Sequence, residues 1–432
     1  MKILYYCFLP LFLVPSLMIA NTLCEQNCIP ESSKEYYPNG KLKTLIPYCN
    51  NKPHGTQIVY NENEVRIQEI FLVCGVIEKT KEFYPNGNLR ATSEYQNGKK
   101  HGVTTVYYSN GTSVHEVQLY KEGKKEGITH VYHESGNLKT LIPMQNDRIN
   151  GIEKGYYDVN GKLKYEISIK DGKEDGLAKW YSNSGQISSE TPYKNGKIDG
   201  VMKRYGANET LMQTITYVEN KKEGLALTYH NNKLTSQNIY RNDILDGEQT
   251  EYYENGTIKS TLLYKNGLHE GVQKRFYPSG KIKNELTYTN NKPQGYEKFY
   301  YESGKLQSEA LWKDGKIIGS QKEYYESGAI EAVTPYKNGN EDGVKMEYYE
   351  NGTLLTTTEY VDGKVHGTLK KYYPNGIIQA EENYTHNQEN GVFREYHPNG
   401  KLARELKVRD GEPVYSSLKA YDENGNAIKT NF

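Results

Sequence analysis

The feature that most constrains the fold is an Asn-Gly dipeptide that returns at a fixed interval. Taking the glycine of Tyr-Tyr-x-Asn-Gly and its variants as a marker, it falls at Gly256, Gly280, Gly304, Gly328, Gly352, Gly376 and Gly400, each step 24 residues. A period of that length marks a repeat architecture, in which each unit packs only against its neighbours. The series runs back through Gly87, Gly111, Gly136, Gly161 and Gly185 at steps of 24 or 25 residues. Asn208-Glu209 and Asn231-Asn232 stand where two units have lost the glycine, a degenerate unit around Asn63-Glu64 separates Gly40 from Gly87, and Gly425 closes the series. A second marker lies inside each unit, at Gly98, Gly172, Gly196, Gly267, Gly315, Gly339 and Gly363. The chain after its N-terminal segment therefore holds about 17 units, each with two turns and two connecting segments.

Turn chemistry accounts for the dipeptide. Tyr-x-Asn-Gly predicts a three-residue hairpin loop, a type I turn followed by a left-handed residue that forms a bulge. Pro38, Pro85, Pro278, Pro374 and Pro398 stand at the first turn position, which proline favours. Longer loops are expected at Tyr157 to Gly161 and Tyr421 to Gly425, where units take 25 residues. Irregular geometry is expected where the dipeptide decays, around Asn63, Asn208 and Asn232.

Between the turns the hydrophobic period is 2. Two residues after the marker stands an aliphatic, as at Ile258, Ile282, Leu306 and Leu354; eight after it stands an aromatic. The aromatic set includes Tyr240, Tyr264, Tyr288, Trp312, Tyr336, Tyr360 and Tyr384. Both offsets are even, which predicts that the two positions share one face of a strand, with Lys and Glu on the other. The expected fold is all-β: an elongated, twisted antiparallel β-meander or solenoid of about 17 tandem 24-residue units, two strands each, with an aromatic-aliphatic face and a charged face.

Composition agrees. Hydrophobic residues make up 36% of the 432, and mean hydropathy is −0.84, too polar for a thick two-sheet core. There are 41 Tyr against 8 Phe, which suits a thin sheet whose rings are partly wet. Lys+Arg equals Asp+Glu at 54 each, so no basic excess points to nucleic acid. The scattered Lys and Glu fit cross-strand pairs on a solvated face.

Residues 1–20 differ from everything after: a minimal basic start, then an almost wholly apolar run from Ile3 to Ala20. This predicts a signal peptide cleaved after Ala20 and an exported chain, whether periplasmic, cell-surface or secreted. A retained N-terminal anchor and a lipoprotein lipidated at Cys24 are the alternatives. Cys24, Cys28, Cys49 and Cys74 are an even set confined to the first two units, which predicts two disulfides in an exported protein. Their spacing lacks the paired Cys-x-x-Cys of a zinc site. Folding the chain back over Pro38-Asn39-Gly40 brings Cys28 opposite Cys49. Cys49 and Cys74 occupy like positions in successive units, about 10 Å apart, too far to bridge. The expected pairs are Cys28–Cys49 and, by elimination, Cys24–Cys74. The organisation read from the sequence is a signal peptide (1–20), a disulfide-stapled cap with two divergent repeats (21–78), a repeat array (79–411) and a C-terminal half-repeat cap (412–432).

No catalytic constellation emerges. His54, His101 and His366 each precede the glycine that closes a unit and read as turn decoration. There is no Gly-x-Ser-x-Gly, His-Glu-x-x-His or Walker-type loop. No enzyme activity, cofactor or metal is expected. Asn110, Asn208, Asn255, Asn351 and Asn383 head N-glycosylation triplets, which turn chemistry in an Asn-rich chain also explains.

Tyr252-Tyr253-Glu254-Asn255-Gly256-Thr257-Ile258-Lys259, followed by Tyr264-Lys265-Asn266-Gly267 and Glu270-Gly271, resembles the MORN-repeat variant family, which includes bacterial antitoxin-like repeat proteins. The resemblance implies a β-sheet scaffold or binding surface and no activity of its own. Membrane association, linked to some MORN arrays, finds no basic patch here. The favoured function is a non-enzymatic exported scaffold that binds a protein along its aromatic-aliphatic face, Tyr240 to Tyr384 being the contact row. A glycan is the other ligand class such a row suits. An antitoxin or immunity-type protein that neutralises one effector is the alternative function. Non-reducing peptide mapping is expected to recover a Cys28–Cys49 peptide; a Cys49–Cys74 peptide would overturn the pairing.

Overall fold

The computed structural model describes residues 28–429. The apolar N-terminal run and Cys24 lie outside the described residues, and with them the signal-peptide and Cys24–Cys74 expectations. Contacts divide the chain into two units, Met1–Thr210 and Leu211–Phe432. In each, strands pair antiparallel with the strands before and after them in sequence, as short loops dictate. Among the described residues the only helical element is the 3-10 turn Ala207–Glu209.

One repeat shows how the sequence builds the strands. The leading strand Gly247–Tyr252 runs into the loop Tyr253 to Gly256, and the trailing strand Ile258–Lys265 returns beside it. Gly256 N–H donates to Tyr253 O at 2.9 Å and Tyr253 N–H to Thr257 O at 2.9 Å, with Gly256 at φ +86°. This is the three-residue loop expected, and only glycine takes that φ without steric cost. The second turn is different. Lys265 pairs with Leu268, leaving Asn266 and Gly267 as a two-residue loop at φ +50° and +79°. Both residues are left-handed, the type I′ geometry for which Asn-Gly is the preferred pair. The expectation of one loop type for every Tyr-x-Asn-Gly was therefore too broad.

The decayed dipeptides divide. Glu64 (φ +61°) keeps the ordinary three-residue loop, closed by Asn61 N–H to Val65 O at 2.9 Å. Asn231 and Asn232 (φ +49° and +61°) shorten theirs to a two-residue turn, His230 pairing with Lys233. Asn208 and Glu209 (φ +55° and +57°) lie in the 3-10 turn. The loop ending at Gly161 is longer by one residue, as expected, since Gly161 N–H reaches back to Tyr157 O. The loop at Gly425 is not, because Asp422 closes it in place of Tyr421.

The main departure from expectation concerns the faces. Tyr252 pairs with Ile258, but Glu251 pairs with Ser260, so Lys259 is an extra residue on the trailing strand. A one-residue slip moves every later side chain to the opposite face. Ile258 therefore shares a face with Tyr252, whereas Ser260, Leu262 and Tyr264 share the other with Glu251 and Gln249. The same slip recurs in unit after unit, as at Arg275/Phe276 and Phe299/Tyr300. The aliphatic residue two after the marker and the aromatic eight after it thus lie on opposite faces in these repeats, not on the single shared face expected. Each face is banded instead, apolar near the turns and polar between them.

The core is thin. The buried residues are mostly small: Ala91, Ala178, Ala226, Ala310, Ala332 and Ala380, with Thr80, Ser93, Thr104, Thr191, Thr334 and Thr358. Cohesion comes from backbone ladders and from tyrosine. Where a tyrosine opens the loop, its hydroxyl donates to a backbone carbonyl one repeat further on in most repeats. In the first unit Tyr37, Tyr84, Tyr108 and Tyr157 do so, to Tyr60, Tyr107, Tyr132 and Tyr181. In the second, Tyr253, Tyr277, Tyr301, Tyr325, Tyr349 and Tyr373 do so over 2.7–3.0 Å. His397 makes the same reach to Tyr421 O at 2.9 Å. The preceding tyrosine bonds a glutamate on the other face: Tyr181 to Glu166, Tyr205 to Glu190, Tyr300 to Glu285. Burial first, then the bonded carboxylate, pushes these three hydroxyls up to about 12.

Replacing Tyr301 with Phe keeps the ring and deletes only the bond to Tyr324 O. A loss of about 1 kcal/mol is expected, read as a lower urea midpoint and faster amide exchange around Tyr324. An unchanged midpoint and exchange pattern would mean that the hydroxyl contributes nothing.

Candidate functional site

The aromatic row lies within the second unit and is built by register. Each of its members stands directly opposite the glycine that closes the preceding repeat: Gly224 faces Tyr240, Gly247 Tyr264, Gly271 Tyr288, Gly295 Trp312, Gly319 Tyr336, Gly343 Tyr360 and Gly367 Tyr384. Gly271 shows why glycine is required. It sits at φ +78°, and a Cβ there would lie 3.1 Å from Leu263 Cδ2. On its other side each aromatic faces one residue from the short segment after the type I′ turn. Leu245, His269, Pro293, Ile317, Glu341, Val365 and Glu389 hold those places in order.

All seven rings are half-buried. Several are fixed by polar partners. His269 Nε2 lies 2.8 Å from the Tyr264 hydroxyl, and its ring meets Tyr264 and Tyr288 edge-on at 4.6 and 5.5 Å between centroids. Trp312 Nε1 donates to Glu297 Oε2 at 2.9 Å, and the Tyr384 hydroxyl to Glu382 Oε2 at 2.9 Å. Burial, then nearby carboxylates, raises the hydroxyls of Tyr264, Tyr288, Tyr336, Tyr360 and Tyr384 above the usual tyrosine value. They remain protonated donors at neutral pH.

Charged and amide side chains of the leading strands share this face, which the sequence reading missed: Gln249 and Glu251, Gln273 and Arg275, Glu297, Gln321 and Glu323, Lys345 and Glu347. Several lie opposite small buried residues of the trailing strands: Glu251 pairs with Ser260, Glu297 with Ala310 and Glu323 with Ala332. Burial holds the Glu297 carboxyl above its usual range even though Trp312 and Arg275 pull the other way. The bulge expected at each loop falls at its glycine; a second extra residue, as at Lys259, is what transfers these positions to the aromatic side. The site is therefore a lane edged by rings and floored by carboxylates, amides and a few cations.

In the first unit, Cys28 and Cys49 form a disulfide with Cα atoms 5.1 Å apart, as the hairpin register predicts. Pro30 pairs with Cys49, so the bridge closes the base of the first hairpin. His54 and His101 are more than decoration. Each accepts, through Nδ1, the backbone N–H that opens the next repeat's type I′ turn, from Cys74 and Glu122 at 3.4 Å. Glu126, Asp175, Glu223, Glu270 and Gln294 do the same from that position. Among the described residues no group of three or more His, Cys, Asp or Glu could hold a metal ion.

These features define a β-repeat scaffold or binding protein. The MORN repeat variant matches residues 32–50, 79–97, 174–195, 245–266, 270–290, 293–314, 318–338, 341–362, 365–386 and 389–410, and the chain belongs to that family. No curated protein matches the chain. Among solved structures, TcdB2-TccC3 without its hypervariable C-terminal region is 14% identical with a TM-score of 0.15, covering 93% of this chain and 25% of that one. The Photorhabdus luminescens Tc holotoxin pore is 15% identical with a TM-score of 0.16, covering 92% and 23%. The chain thus spans about a quarter of the length of those chains, and TM-scores of that size carry no argument.

Glu297 gives a pH test. Its folded pKa is raised, so its contribution to stability is fully present below the unfolded glutamate value of about 4.3 and is lost as pH rises through the folded value. Glu297→Gln keeps an acceptor for Trp312 Nε1 and cannot ionise. The variant is expected to gain melting temperature over the wild type at pH 7, with the gap closing below about pH 4. A gap independent of pH would overturn this assignment.

Proposed function

We propose that the protein is a non-enzymatic, exported scaffold that binds a protein partner along the lane of Tyr240, Tyr264, Tyr288, Trp312, Tyr336, Tyr360 and Tyr384. The observation that carries the reading is the lane itself. Its half-buried rings recur every repeat, and their hydroxyl and indole donors are held in place by Glu and His neighbours. Such rigid amphipathic rings are what protein interfaces use as anchors. Because the rings recur with the repeat, a bound segment would be read along several units at once. Leading-strand amides and charges beside the row add polar selectivity. Export is supported by the Cys28–Cys49 disulfide. Among the described residues no helix is long and apolar enough to cross a membrane.

The test is a pull-down with the mature chain from its own extracellular or periplasmic fraction, repeated with Trp312→Ala and Tyr336→Ala after checking that each variant melts cooperatively. Loss of the same partner from both variants is expected. Full recovery of every partner by both would return the rings to a purely structural role.

A further inference from the structure

In two repeats one pair of positions on the lane face is an ion pair: the leading-strand residue at the bulge and the extra residue on the trailing strand. Glu82 meets Arg90 there at 3.5 Å, and Glu251 meets Lys259 at 3.4 Å. The repeat after Glu251 and Lys259 differs. Its leading-strand residue is Arg275, and the corresponding trailing-strand residue is Lys283, so two cations stand where the preceding repeat places an ion pair. Among the described residues neither forms a salt bridge; Lys283 rests over the Tyr277 ring at 5.6 Å. The only carboxylate beside them in the same hollow, Glu251, is already held by Lys259 and by Ser260 Oγ at 3.3 Å. Glu297, one repeat on, is taken by Trp312.

These cations line an open trough of about 540 Å³ together with Lys259, Gln249, Gln273 and Phe276. A like-charged pair that forms no salt bridge, facing an open hollow, is a site for an anion. A guanidinium takes a carboxylate through two parallel N–H bonds. The Gln249 and Gln273 amides can each donate to and accept from a peptide group. We propose that this trough is a carboxylate-binding subsite for an acidic peptide segment of the partner. The proposal rests on the reading of the lane as a protein-binding surface and names the chemistry of one point on it.

The pattern of the repeats supplies the decisive variant. Arg275→Glu recreates the Glu–Lys pair of the preceding repeat, so it should fold at least as well as the wild type. Binding of a fluorescein-labelled hexaglutamate peptide to the full chain is followed by anisotropy at low salt. The wild type is expected to bind, with affinity falling as salt rises. Arg275→Glu is expected to weaken binding at least about tenfold, and Lys283→Gln to weaken it less. No binding by the wild type, or equal binding by Arg275→Glu, overturns the subsite. Oligogalacturonate or inorganic phosphate binding in place of the peptide overturns the peptide assignment. Partner capture lost with Trp312→Ala but peptide binding unmoved by Arg275→Glu would sink the subsite alone and leave the lane standing.

Discussion

The structure depends on a single extra residue. After each three-residue loop the trailing strand carries one residue more than its partner, at Lys259 in the repeat described and at its equivalents elsewhere. Because side chains alternate with a period of two, that residue decides which positions belong to which face. It takes the aliphatic residue that follows the loop away from the aromatic row. It brings Glu251 and Arg275 to the ring side, and it leaves both faces with a polar middle. A sheet so banded offers neither face as a broad apolar surface, which suits a chain with mean hydropathy of −0.84.

A thin sheet of this kind cannot rely on bulky side chains, and its buried residues confirm that it does not. Ala, Ser and Thr fill the middle of the strands, and among the described residues the largest fully buried side chains are Cys49 and Ser93. Burying so little apolar area contributes little per residue. The difference is made up by polar bonds between repeats. A tyrosine hydroxyl from most loops reaches the next repeat at one end, and in many repeats an acceptor before the closing glycine reaches the next type I′ turn at the other. This explains a ratio that hydrophobicity alone does not, 41 Tyr to 8 Phe. Phenylalanine would supply the ring without the bond.

Much of this was legible in the sequence. The marker glycines declared the repeat, the strand count per unit and the first loop type, and hairpin register placed Cys28 against Cys49. The faces were not legible from parity, because parity assumes an unbroken ladder. Tyr-x-Asn-Gly was correctly read as ending in a bulge, but the further slip between Glu251 and Tyr252 has no residue signature of its own. Lys259 looks like any solvent-facing lysine. The type I′ turns were missed for a related reason: Asn255-Gly256 and Asn266-Gly267 are the same dipeptide. Only the residues that pair around them, Tyr253 with Thr257 and Lys265 with Leu268, determine whether two or three residues form the loop.

Repetition also changes how a charged residue is weighed. An exposed Arg or Lys on an ordinary surface is unremarkable, and an isolated surface ion pair contributes little to stability. In a tandem array the same position is sampled many times under the same geometry, so each repeat serves as a control for the others. Glu82 with Arg90 and Glu251 with Lys259 show that the bulge site accommodates an ion pair without strain. Where Arg275 and Lys283 replace such a pair, geometry does not account for the missing partner, because the neighbouring repeat has the same backbone. Two cations held side by side raise the free energy of the unbound chain by mutual repulsion, and an anion between them lowers it. A like-charged pair that costs stability and leaves the fold unchanged is the kind of residue choice that binding, and not folding, explains.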